Sequence, residues 1–254
     1  MCVAAAAFRA HPRWRLVVIG NRDEFHERPT APLARWPNGA IAGRDLQAGG
    51  TWLGVNAAGR FALVTNLRVE GFPRPELASR GALVTDWLAG HDPAAPEKMN
   101  PFNLFMADAG NAWHLTNHPD VRRLPLAPGI HGLSNGAHDA PWAKTRALEA
   151  ALGAWLAAGK DDPAPLFAAL ADRTELPGTG PEPRFSTVFI CNPVYGTRCS
   201  TVLLIASDGT ARIIERRFAA DGEPAGETAI AFKALPAPSC LRAPLPLAAP
   251  HAFA

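Results

Sequence analysis

Short apolar, β-branched runs joined in pairs by tight turns recur near both ends of this chain, and helical patterning is confined to its middle. Repeated hairpins build antiparallel sheets. They argue against a doubly wound parallel sheet, whose neighbouring strands need long crossovers. Val3 to Phe8 and Arg15 to Gly20 flank a basic turn with Pro12, and Thr51 to Val55 and Phe61 to Thr65 flank Asn56-Ala57-Ala58-Gly59. Asn103 to Ala107 and Ala112 to Leu115 flank Asp108-Ala109-Gly110-Asn111. Ser186 to Cys191 and Thr201 to Ala206 read as apolar strands, and Ala206 turns through Ser207-Asp208-Gly209 into Ala211 to Arg217. A last strand is predicted near Thr228 to Phe232.

In the middle, Leu77, Val84 and Leu88 share one face of a helix predicted within Pro75 to Ala89. Leu148, Leu152, Trp155 and Leu156 form an apolar stripe at helical spacing between Pro141, suited to a first turn, and Gly159-Lys160, suited to an end. A third helix is expected at Ala164 to Ala171. Strands, then helices, then strands is the order needed for an α+β four-layer αββα sandwich of two antiparallel sheets. No Gly/Ser linker or charge block divides the chain, so residues 1–234 are expected to form one domain. Residues 235–254 form a tail with Pro at 236, 238, 244, 246 and 250, which suits neither regular helix nor central strand.

The chain has 254 residues, 48% of them hydrophobic, enough for a large core. A net charge of +2 gives no case for nucleic acid or an anionic membrane as partner. No apolar run reaches the ~18 residues of a spanning helix. The first apolar run has no basic leader and soon meets Arg9, Arg13 and Arg15, unlike a secretory signal, and a cytoplasmic location is expected. Cysteines at 2, 191, 199 and 240 lack CxxC spacing, so no zinc site is read, and free thiols are the default. Cys191 and Cys199 end two predicted strands as core residues that would face each other. His114 and His118 fall in an expected loop, and no metal pairing is read among the histidines.

Cys2 is the first candidate for chemistry. Methionine before so small a residue is normally trimmed, which would leave a thiol and a free α-amine on one residue. An α-amine titrates near about 7.7–8 and a free thiol near about 8.5, so the amine would serve the thiol as base. The second candidate is Gly20-Asn21-Arg22-Asp23-Glu24-Phe25, a polar cluster where an apolar strand ends. Strand alternation sets Asn21 and Asp23 on one face and Arg22 and Glu24 on the other, so all four meet one ligand only if the strand bends or bulges.

Met1-Cys2 followed by Gly20-Asn21-Arg22-Asp23-Glu24 resembles the NRDE-motif family, also called the transport and Golgi organisation protein 2 family. Gly49-Gly50-Thr51-Trp52-Leu53-Gly54-Val55-Asn56 and Gly59 to Arg68 fit it too, as do His131-Gly132-Leu133-Ser134-Asn135-Gly136 and Tyr195 to Val202. The resemblance implies an N-terminal-nucleophile hydrolase type of fold. By similarity to the cholylglycine hydrolase and penicillin acylase group, Cys2 would be the nucleophile and Arg22 would stabilise its thiolate or the oxyanion. Asp23 would hold the α-ammonium. Asn66 would donate to the oxyanion, Asn135 would do the same or fix the amine, and Arg198 would be a second guanidinium. In that group the Arg and Asp are two residues apart. Here they adjoin, so either the strand twists or Glu24 takes the carboxylate role.

Two functions follow. One is a cytosolic hydrolase of a non-peptide acyl bond, amide or thioester, needing no cofactor. The other is a carrier for haem or acyl-coenzyme A, with His131 or a cysteine as axial ligand and Trp36, Trp52, Trp113 and Phe72 as apolar walls. In both, the partner is a small acyl-containing or haem-like ligand. The oligomeric state is open.

Overall fold

The structure is a computed structural model that describes residues 2–138, 140, 142–176 and 186–235. One sheet has six strands in the order β10-β1-β2-β11-β12-β13: Gly129–Leu133, Val3–Phe8, Trp14–Phe25, Tyr195–Ala206, Thr210–Phe218 and Pro224–Lys233. The other has seven in sequence order, β3 to β9: Thr30–Arg35, Ala40–Asp45, Leu53–Asn56, Phe61–Asn66, Phe102–Ala107, Ala112–Thr116 and Arg122–Pro125. Every pairing is antiparallel.

Strand alternation sorts side chains into layers. Ala4, Ala6, Phe8, Leu16 and Val18 join Leu63, Phe61 and Phe105 between the sheets. Their neighbours Val3, Ala5, Ala7, Val17 and Ile19 face the other way, onto α2 (Ala143–Ala158) and α3 (Ala164–Leu170). On the far side, Leu83, Val84, Trp87 and Leu88 of α1 (Gly81–Ala89) pack against Ala62, Val64 and Leu104 of the seven-stranded sheet. The result is the four-layer αββα sandwich. Each of the buried Val, Leu, Ile and Phe side chains contributes on the order of 1.5–3 kcal/mol, which orders the layers without any polar contact.

The departures from expectation have physical causes. β2 does not stop at Gly20 but runs through the polar cluster to Phe25, because β11 pairs along its length from Ala206↔Trp14 to Tyr195↔Phe25. β3, β4, β9 and β10 carry no clean alternation, with Pro32 inside β3 and glycines in β4 and β10, so they are set by their neighbours. Residues 186–190 are not strand, and Cys191 makes only an isolated bridge to Gly196. Cys191 is exposed and its thiol donates to the Asp221 carbonyl at 3.2 Å, whereas Cys199 is buried in β11. The two therefore do not share a core position. His114 is buried within β8 and not in a loop. Leu77 precedes α1, which starts at Gly81 after two close glycine contacts. Pro141, Cys240 and the tail from residue 236 lie outside the described residues. None of the helices among the described residues is long and apolar enough to cross a membrane.

Candidate active site

The β1–β2 hairpin pairs Val3 with Asn21, which brings Cys2 beside Arg22 and Asp23. Cys2 is half-buried, and its thiol faces the Asp23 carbonyl oxygen at 4.0 Å. Its own carbonyl accepts a 2.8 Å hydrogen bond from the Ser134 hydroxyl, just past β10. Ser134 is held in turn through its carbonyl, which accepts from Thr65 Oγ1 at 2.6 Å. Cys2 is thus tied to both sheets. Burial pushes its thiol above the ordinary value, and the Asp23 carboxylate acts in the same direction.

The polar half of β2 keeps the alternation. Asn21 points to the helical layer and is fully enclosed: its amide donates to the Leu170 and Val188 carbonyls at 2.8 and 3.0 Å and accepts from Ser200 Oγ at 2.6 Å. Asp23 is buried on the same face, where Thr197 Oγ1 donates to Oδ1 at 2.7 Å and Tyr195 donates to its carbonyl at 2.9 Å. Burial pushes the Asp23 carboxyl up to about 6, opposed by the charge of Lys144 and the Thr197 hydroxyl. Arg22 points between the sheets, with Nη2 3.6 Å from Glu24 and 4.0 Å from Asp45. Its Nη1 is buried with no hydrogen-bond partner among the described residues. Glu24 also lies 3.7 Å from Arg28, which is bound to Asp45 at 2.6 Å.

The irregularity here lies in β11 and not in β2. Its register shifts between Thr197 and Cys199, opposite Asp23 and Arg22, and leaves Arg198 as the extra residue. The bulge turns Thr197 to Asp23 while Cys199 stays on the Arg22 side. Arg198 donates from Nη1 to the Phe25 and Arg28 carbonyls at 2.7 and 3.1 Å, holding the chain where β2 ends. With Arg22, Arg217 and Glu215 it lines a cavity of about 210 Å³ between the sheets.

A larger cleft of about 870 Å³ opens beside this cluster. Asn66 and Asn135 both line it. Asn66 is exposed at the end of β6, and its carbonyl accepts from Asn135 Nδ2 at 2.7 Å. Asn135 is buried, and its Oδ1 has no partner among the described residues. Phe72 joins the cleft wall, Trp52 lines the inter-sheet cavity, and Trp36 and Trp113 pack into the layer under α1. His131 is outside the cleft lining, with Nε2 2.7 Å from the Ala127 carbonyl.

Four contributors were not singled out in the sequence: Ser134, Thr197, Lys144 and Arg80. Lys144 is fully buried one turn before Leu148 on the same α2 stripe, so extending that stripe would have found it. Gly132 lets it approach, since a Cβ there would sit 2.2 Å from Thr145 Cγ2. Burial lowers the Lys144 ammonium pKa, while Asp23 and Cys2 favour its charge. Arg80 precedes α1, drawn in by a glycine-on-glycine contact: a Cβ on Gly50 would lie 2.7 Å from the Gly81 carbonyl carbon. No local pattern signals Arg80, because the contact that places it spans thirty residues of chain.

The layers, the strand directions and a cysteine at the head of an inner strand match the sandwich that the sequence resemblance implied. The model of the family described as Transport and Golgi organisation 2 matches residues 1–220. The chain belongs to that family. It is 30% identical over 256 residues to the Transport and Golgi organization protein 2 homolog of Bos taurus, covering 85% of this chain and 92% of that protein. It is 30% identical over 263 residues to the Homo sapiens homolog, with the same coverage, and 26% identical over 258 residues to the Drosophila melanogaster protein, covering 85% and 91%. Among solved structures, a Caenorhabditis elegans N-acylethanolamine-hydrolyzing acid amidase ortholog overlays with a TM-score of 0.48 at 11% identity, covering 80% of this chain and 92% of that one. A mutant conjugated bile acid hydrolase from Clostridium perfringens also scores 0.48, at 9% identity, covering 91% and 92%.

Proposed function

We propose that this chain is an N-terminal-cysteine hydrolase of a non-peptide acyl bond, an amide or an acyl thioester. The observation that carries the reading is the tether of Cys2: Ser134 fixes its backbone while its half-buried thiol sits beside Asp23 and across the hairpin from Arg22. With Met1 trimmed, the α-amine of Cys2 takes the thiol proton, directly or through one water. A base is needed, because burial raises the pKa of this thiol and favours its protonated form. The thiolate attacks the acyl carbon, and the oxyanion is held by the Asn66 amide and the Arg22 guanidinium. The α-ammonium, steadied by Asp23 and the Asn135 Oδ1, returns its proton to the leaving nitrogen or sulfur. Water then attacks the thioester, the amine takes that water's proton, and the carboxylic acid leaves with Cys2 restored. Arg198 acts by fixing the chain that carries Arg22 and Asp23.

The test is intact-mass measurement after exposure to reactive acyl donors of graded chain length. The expected result is a protein lacking Met1 that gains one acyl mass, with no gain in Cys2→Ala. Full retention of Met1, or no adduct with any donor, overturns the reading. A carrier role for the same cleft draws on a different observation: Cys2 is not among the cleft-lining residues. It forecasts ligand binding that Cys2→Ala leaves intact and no acyl adduct on the unaltered protein.

A further inference from the structure

The 870 Å³ cleft is chemically divided. Val69, Phe72, Pro101 and Tyr195 give it apolar wall, and Phe25 and Val194 on the same wall are 53% and 71% exposed. Large side chains left this open beside a concave surface fit an apolar ligand body. The charged groups on the cleft are Glu24, Arg68, Glu70 and Arg80. Glu24 is within ion-pair reach of Arg22 and Arg28. Arg80 is different. Its side chain makes no hydrogen bond or ion pair with any described residue, and its Nη1 is buried.

A buried guanidinium nitrogen without an acceptor is costly, because its donors lose water and gain nothing in return. The protein nevertheless holds Arg80 there firmly, since the Gly50–Gly81 backbone contact leaves no slack at the start of α1. The cluster around Cys2 is not far off: Cys2 and Glu24 are the groups that favour the charge on Arg80, against burial and the like charge of Arg28.

We propose that Arg80 is an anion-binding residue of this cleft, and that the ligand is an amphiphile with a carboxylate or phosphate on Arg80 and its apolar body along the Phe72–Val194 wall. This names the substrate class for the acyl-transfer reading and rests on the cleft being its substrate site. A guanidinium meets either oxyanion through paired N–H donors, which a lysine cannot reproduce.

The experiment uses the full chain carrying Cys2→Ala, so that binding is read without acylation. The probes are decanoate, decyl phosphate, decan-1-ol and decyltrimethylammonium, titrated calorimetrically below their micelle concentrations. The expected result is that both anions bind at least about tenfold more tightly than the alcohol, the order of one charge-assisted hydrogen bond. Arg80→Met abolishes that preference while leaving the alcohol's affinity within about twofold, and Arg80→Lys recovers only part of it. Decanoate against decyl phosphate tells which oxyanion is preferred. Equal binding of all four probes by the parent protein overturns the proposal, and so does an anion preference that survives Arg80→Met. If Arg80→Met fails to fold, the parent's probe ranking and Arg80→Lys still decide, because full anion affinity in the lysine variant also ends the paired-donor claim. Acyl adducts with no anion preference would sink this inference and spare the hydrolase. An Arg80-dependent anion preference with no adduct would do the reverse.

Discussion

The two halves of β2 are one continuous strand with opposite chemistry. From Leu16 to Ile19 both faces are apolar, one into the inter-sheet core and one onto the helices. From Gly20 to Phe25 the same two faces carry Asn21 and Asp23 towards the helices and Arg22 between the sheets. The strand geometry is the same throughout. What changes is what the flanking layers offer: hydrocarbon in the first half, and carbonyls, hydroxyls and ion pairs in the second. Polar residues in the second half are therefore of two kinds. Asn21 has all its partners inside the protein and behaves as core, whereas Arg22 keeps a buried Nη1 without a partner among the described residues.

That contrast can be broken at four points. Ile19→Ala, in the apolar half, should cost the most, about 2–5 kcal/mol in denaturant unfolding, since it empties a fully buried position against α2 and α3. It should leave the charge preference of the cleft unchanged. Asp23→Asn sharpens the comparison through pH. A carboxyl raised from 3.8 to about 6 binds its proton more tightly in the folded chain, so its favourable contribution is complete below pH ~4 and is lost as pH rises through 6. The variant has no such loss, so its stability relative to the parent should improve between pH 4 and 7, by up to about 3 kcal/mol at 1.36 kcal/mol per unit. A flat difference across that range would refute the buried-carboxylate account. Any acylation should fall in the parent below pH 6 as the carboxylate is lost.

Asn21→Ala should cost about 2 kcal/mol, because it strips partners from the Leu170 and Val188 carbonyls and from Ser200. If it instead leaves stability intact and removes acylation, the division into core and site within β2 is wrong. Arg216→Ala is the reference point. Its pair with Glu227 at 2.6 Å is solvent-exposed, and loss should change unfolding by under about 1 kcal/mol.

Much of the fold was legible along the chain. Val3 to Phe8 matches β1 residue for residue, and the α2 stripe from Leu148 to Leu156 faces the core as its spacing required. The alternation of Asn21, Arg22, Asp23 and Glu24 was also readable, and β2 keeps it, while the register shift in β11 could not be read. Less legible was everything set by a distant partner. The polar end of β2 looked like a strand end because composition alone cannot show that β11 pairs with it. The run 186–190 looked like strand because its apolar content reports burial and not pairing.

By itself, the order of residues determined two antiparallel sheets between helical layers, the family, and the candidates Cys2, Arg22 and Asp23, because periodicity and motif are local properties of the chain. Only the packed molecule decided that Ser134 tethers Cys2, that Thr197 reaches Asp23 through a bulge, and that Lys144 and Arg80 join the cluster. The last two placements depend on close approaches, of α2 side chains at Gly132 and of backbone between Gly50 and Gly81. Such contacts join positions far apart in the chain, and no window of sequence contains both partners.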